Sequence, residues 1–140
     1  SEMCIRDSTG PIGSGHRMKL LHNYVSLGTV TLLAEAAACA QRSGVDTQTF
    51  VDVLAMGGGW GAALERLKPA LLSGDPTGLR FSMANALKDL SYYNDMAQKI
   101  QAESSVSKVI QSTLKSACDA GHSQALVPEL IGLLAHRQQA

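Results

Sequence analysis

At 140 residues, 45% of them hydrophobic and with twelve basic side chains balanced by twelve acidic ones, the chain has the makings of one globular domain with its own core. Zero net charge with no basic block gives no footprint for nucleic acid, and without a run of roughly eighteen apolar residues there is no membrane span, so neither partner is expected. Three cysteines, Cys4, Cys39 and Cys118, far apart and without a Cys-x-x-Cys pair, fit free thiols in a reducing compartment, and the expected location is the cytoplasm.

The chain opens on Ser1–Thr9, which has neither hydrophobic periodicity nor the charged, apolar and cleavage regions of a signal peptide. It reads as a non-native junction segment, and the domain is expected over residues 10–137. Next comes a glycine-rich turn, Gly10-Pro-Ile-Gly13-Ser-Gly15. Gly13 and Gly15 permit backbone angles closed to other residues, and Ser14 is an N-cap candidate. Apolar residues then recur with helical spacing from Arg17 to Arg42: Leu20, Leu27, Val30, Leu33, Ala34, Ala37, Ala38 and Ala40. A helix of this length reaches roughly 40 Å. Gly28 and the alanines would let a second helix approach closely. In its first turns Lys19 and Asn23 stand at i, i+4 and so share a face beside the glycine turn, a compact donor set for an anion. Taken alone, Lys19 reads as a surface lysine in a first helical turn.

Ser43-Gly44 stops this helix, and Asp46 or Thr47 caps a short one through Phe50, Val51, Val53 and Leu54. Gly57-Gly-Gly-Trp60-Gly61 is read as a flexible turn, since no strand precedes it and no Gly-Lys-Ser/Thr follows; Trp60 is expected to anchor it on the helices. A short helix covers Ala62–Leu72, with Pro69 marking a break or a new first turn, and Ser73–Gly78 is a loop. A second long helix is expected over Ser82–Ala102, its core face made of Met83, Ala86, Leu87, Leu90, Tyr93, Ala97 and Ile100, with Phe81 at its entrance. Lys88 and Asp89 fall on the other face, where charges are ordinarily solvated. A third spans Val106–Ala120, amphipathic through Val106, Val109, Ile110, Leu114 and Ala117, and the last covers Pro128–His136. No segment alternates as a strand. The four histidines, His16, His22, His122 and His136, lack ligand spacing, so no metal site is expected. The predicted fold class is all-α.

Two segments carry a resemblance. Gly13-x-Gly15-x-x-x-Lys19-x-x-x-Asn23, followed by Ala34-Glu35-Ala36 and Gly44-Val-Asp46, and later Phe81 with Lys88-Asp89-Leu90, are similar to the C-terminal half of the β-hydroxyacid dehydrogenases. This is the 3-hydroxyisobutyrate dehydrogenase family, which includes tartronate semialdehyde and glyoxylate/succinic semialdehyde reductases. The resemblance covers Gly10–Arg137. It implies a helical bundle like the C-terminal domain of 6-phosphogluconate dehydrogenase, serving substrate binding and dimerisation. An N-terminal Rossmann domain that holds most of the NAD or NADP is absent from this chain: no Gly-x-Gly-x-x-Gly follows a strand. The fragment alone is therefore expected to be inactive, and the whole protein to form a homodimer or homotetramer.

By that resemblance Lys19 is the catalytic residue, Gly13, Ser14, Gly15, Asn23 and Phe81 bind substrate, and Lys88 and Asp89 serve the cofactor. The chemistry agrees with the residue types. Oxidising a hydroxy acid requires hydride to leave carbon and a base within reach of the hydroxyl; an amine in a closing cleft answers that need. His16 and Arg17 add positive charge at the entrance or face solvent. The expected reaction interconverts a small 3-hydroxy acid and its semialdehyde or keto form. A competing expectation is a non-catalytic oligomerisation module of the same ancestry.

Overall fold

The computed structural model describes residues 14–137. The segment 1–9 read above as a junction, Cys4 within it, and the turn positions Gly10 and Gly13 lie outside the described residues. Within them the chain folds as an all-helical bundle: α1 Ser14–Ser43, α2 Thr47–Ala55, α3 Ala62–Ser73, α4 Met83–Lys99, α5 Ser105–Ala117 and α6 Leu130–Ala135. Short 3₁₀ turns at Pro76–Gly78 and Val127–Glu129 and a π turn at Cys118–His122 join them. Among the described residues the one β-like feature is an isolated antiparallel bridge between Ser82 and Leu126.

Helix α1 is the spine. Its 30 residues span roughly 45 Å at 1.5 Å per residue, and α6 packs along it most extensively, followed by α4 and α3. The stripe Leu27, Val30, Leu33, Ala34 and Ala37 is buried against Leu64 and Leu67 of α3, Met83, Ala86 and Leu90 of α4, and Leu114 of α5. Gly28 is buried in this packing, where a Cβ would stand in ordinary contact 3.9 Å from Ile110 of α5 and 3.6 Å from the Tyr24 ring. At the far end Arg42 Nη1 donates to the Ala135 carbonyl at 2.9 Å, tying α6 to the end of α1.

Local chemistry sets most element ends. At Gly44 (φ +82°) the chain turns left-handed, with Val45 N–H bonded to Ala40 O and Gly44 N–H to Gln41 O, the paired bonds of a Schellman stop. Asp46 caps α2 through Thr49 N, and Ser82 caps α4 through Asn85 N.

Several expectations are corrected. The predicted α1 starts at Arg17 with Ser14 as a cap, whereas the helix already contains Ser14 and Gly15, and Gly15 is buried; packing of the first turn outweighs glycine's weak propensity. Helix α3 runs through Pro69 without a break. Leu64 and Leu67 are wholly buried on one side of the proline, and Gly78 lies so close to the Pro69 ring and the Arg66 carbonyl that no Cβ fits there, so contacts hold the helix through a residue that otherwise interrupts it. Helix α4 ends at Lys99 rather than Ala102, and Ile100 is 58% exposed, because Gln101 turns left-handed (φ 56°). Val106 and Val109 of α5 are 66% and 64% exposed. The inward face keeps the expected Ile110, Leu114 and Ala117 and takes Ser107 in place of the two valines.

The inward place of Ser107 follows from a polar seam between α4 and α5. Asn94 is buried; it accepts from Ser107 Oγ and donates to the Ser107 carbonyl and to Gln111 Oε1. Gln111 Nε2 in turn donates to Ser91 Oγ at 3.1 Å. No buried side-chain polar atom among the described residues lacks a hydrogen-bond partner.

Candidate functional site

Helical spacing places Lys19 one turn before Asn23 on the same face of α1, and both are half-buried. Helix α4 brings the second set. Asn23 Nδ2 donates to Asp89 Oδ2 at 3.0 Å, a contact spanning 66 positions of sequence. Directly below, Tyr24 and Tyr93 stack with ring centroids 4.3 Å apart and planes tilted by 30°. Tyr93 follows Asp89 by four residues as Tyr24 follows Asn23 by one, so the ring pair fixes the same crossing of α1 and α4 that the polar pair uses. Burial first, and the neighbouring Tyr93 second, push the Tyr24 phenol above its ordinary 10.0.

Lys88, beside Asp89 on α4, is exposed. Phe81 is half-buried where the chain enters α4, packs on the core, and accepts from Val127 N–H through its carbonyl at 2.8 Å. Gly15 is buried in the first turn of α1, whose N–H groups have no partner within the helix. His16 and Arg17 are both exposed. Gly13 lies outside the described residues, as does the side chain of Ser14. The structure thus joins Asn23 to Asp89 and puts Lys19 one turn away.

Two features escape the sequence reading. His22 Nδ1 lies 3.0 Å from Asn23 Oδ1, a contact for which the adjacency of the two residues was the one available signal. Trp60 does not anchor its turn: it is 73% exposed. Leu54 does that work, since a Cβ on Gly59 would collide with its side chain. Trp60 instead lines a groove of about 320 Å³ with His22, Val25, Thr29 and Leu32 of α1.

No group of three or more His, Cys, Asp or Glu side chains among the described residues could hold a metal ion. No described helix is long and apolar enough to cross a membrane. Cys39 is an exposed free thiol and Cys118 a half-buried one.

The all-helical domain thus gathers an amine, an amide and a carboxylate at one end of its long helix. Residues 13–134 match the family model described as NAD-binding of NADP-dependent 3-hydroxyisobutyrate dehydrogenase, and the chain belongs to that family. Among solved structures its fold is similar to that of 3-hydroxyisobutyrate dehydrogenase from Salmonella typhimurium, with a TM-score of 0.79 and 24% sequence identity. The match covers 86% of this chain and 42% of that one, so the chain spans less than half the length of its structural relative. No curated protein matches the sequence.

The described residues contain no strand and so no strand–turn–helix cradle for a pyrophosphate.

Proposed function

We propose that this chain is the substrate-binding and catalytic helical domain of an NAD(P)-dependent oxidoreductase that interconverts a small 3-hydroxy acid and its semialdehyde or keto form. The observation that carries the reading is the 3.0 Å bond from Asn23 to Asp89: it unites the two motif segments in one place beside Lys19. A scaffold needs no such convergence. When bound, NAD(P) supplies the acceptor or donor of the hydride exchanged with the substrate carbon.

Lys19 moves the proton. In the oxidative direction its amine takes the hydroxyl proton as the carbon–hydrogen bond breaks; in the reductive direction its ammonium returns that proton to the developing alkoxide. Asn23 orients the substrate oxygen without adding charge. Backbone N–H groups of Gly13, Ser14 and Gly15 bind the substrate carboxylate, favoured by the positive end of α1, and Phe81 walls the pocket. Lys88 reaches the cofactor, while Asp89 holds Asn23. A Rossmann domain completes the cofactor site, and the enzyme works as a cytoplasmic homo-oligomer, with the exposed apolar Met18, Leu21, Val25 and Leu32 of α1 available for burial in the whole assembly. Separated from that domain, the helical half is inactive.

Lys19→Ala in the protein completed by its dinucleotide-binding domain tests the reading. Turnover is expected to fall by about 10²–10⁴-fold with an unchanged oligomeric state. Unchanged turnover would set the catalytic role aside in favour of the non-catalytic oligomerisation module.

A further inference from the structure

We infer that His22 is a positioning residue: its imidazole fixes the rotation of the Asn23 side-chain amide and thereby the direction in which that amide meets the substrate. The inference rests on the site reading above and concerns a residue to which that reading gives no role.

Asn23 is held from two sides. Its Nδ2 donates to Asp89 Oδ2, and its Oδ1 lies 3.0 Å from His22 Nδ1. Asp89 decides which way round the amide stands. An ionised carboxylate is an acceptor only, so the amide edge facing it must be the NH₂; with Oδ1 turned that way, two acceptors would meet with no hydrogen between them. Oδ1 therefore faces His22. That acceptor in turn requires a hydrogen on Nδ1, and a neutral imidazole carries a single N–H. In the neutral ring His22 is thus the Nδ1–H tautomer, with Nε2 bare. The carboxylate sets the amide, and the amide sets the ring.

The ring in return restrains the amide. The χ2 torsion of asparagine is broad and carries no sharp preference of its own, so an amide tethered to Asp89 alone can rock about that one bond. A second tether at Oδ1 removes this freedom. It leaves Asn23 with one Nδ2 hydrogen and one Oδ1 lone pair, both in fixed directions, beside Lys19 on the same helix face. Small misplacements of a substrate oxygen relative to its proton-transfer partner are costly in rate. The imidazole is exposed, and its contact with the site among the described residues is the one to Asn23.

The geometry also selects the rescuing substitution. Asparagine places Nδ2 one atom beyond Cγ, where imidazole has Nδ1, so His22→Asn keeps the donor and His22→Ala removes it. Two measurements test the idea. In the 140-residue chain, nitrogen-15 NMR of the neutral His22 ring is expected to show a protonated Nδ1 and a bare Nε2, and Asn23→Ala to abolish that preference. In the enzyme completed by its dinucleotide-binding domain, His22→Ala is expected to lower kcat/KM about tenfold at an unchanged unfolding midpoint, with His22→Asn restoring most of it. A wild-type ring protonated at Nε2 would overturn the inference. So would His22→Ala with undiminished kcat/KM in an enzyme that Lys19→Ala inactivates. If Lys19→Ala leaves turnover intact, the site reading falls instead, and the tautomer measurement alone decides the case for His22.

Discussion

Asn94 shows what one buried polar residue does in this bundle. It occupies a core-facing position of α4, four residues after wholly buried Leu90 and three before buried Ala97, where an apolar side chain would ordinarily sit. Its three hydrogen bonds reach Ser107 and Gln111 of α5. A buried donor or acceptor stripped of its partner loses hydration without compensation, which costs about 1–3 kcal/mol. Asn94→Ala takes the donor from Gln111 Oε1 and the Ser107 carbonyl, while the Ser107 hydroxyl keeps the Ser104 carbonyl and Gln111 Nε2 keeps Ser91 Oγ, so a loss of about 1–3 kcal/mol is expected in urea unfolding of the chain; a loss under 0.5 kcal/mol would mean that water replaces the seam. The same reasoning shows which site residues were legible. Lys19 and Asn23 could be paired from sequence because their spacing on one helix is a local matter. The bond from Asn23 to Asp89 depends on how α1 crosses α4, which no spacing specifies, and on the solvated-face reading Asp89 was an outward charge. Trp60 misled for a related reason: glycine at 59 lets Leu54 seal the turn, leaving the large ring outside.

Helices and their stops were the most readable level. Gly44, Asp46 and Ser82 act within four residues of themselves, and each does in the structure what its residue type favours. Faces were harder. Val106 and Val109 satisfy an amphipathic pattern, yet α5 is rotated so that Ser107 lies inward, because Asn94 supplies a partner that periodicity does not reveal. The end of α4 was misplaced by a subtler cause. Ala102 N–H bonds to Ala97 O at 2.8 Å and Gln101 N–H to Gln98 O at 3.1 Å, the same Schellman stop that glycine provides at Gly44. Here glutamine occupies the left-handed position, and no sequence signal announces it. A non-glycine residue in that conformation costs roughly 1–2 kcal/mol, partly offset by the greater entropy that glycine loses on folding. Gln101→Gly is therefore expected to stabilise the chain by roughly 0.5–1 kcal/mol. A higher melting temperature with unchanged helical circular dichroism is the outcome sought, and a lower one would refute the strain account.

For the whole molecule, titration on both sides of neutrality bounds the folded state. On the acid side, bonds from the Thr77 hydroxyl and backbone N–H, with Arg80 nearby, hold the Asp75 carboxyl below its ordinary 3.8. Bonds from the Ser105 hydroxyl and the Ser105 and Ser104 backbone hold Glu103 below 4.5, with Lys108 assisting. A depressed carboxyl contributes stability that is present above its unfolded value and lost as pH falls through its folded one. Both groups are fully exposed, so this limb is shallow. On the alkaline side the sign reverses. Tyr24 is raised above 10.0 by burial and by Tyr93, so the unfolded chain gives up that proton first, and its contribution is complete below pH 10.0 and disappears as pH rises through the folded value. Tyr24→Phe keeps the ring and its stacking on Tyr93 while removing the titration. The stability difference between wild type and Tyr24→Phe in urea is expected to stay constant up to pH 10.0, then to shift steadily in favour of the variant. A difference flat across that boundary would mean that the Tyr24 phenol titrates alike in the folded and unfolded chain and that its burial between α1 and α4 is not what the geometry indicates.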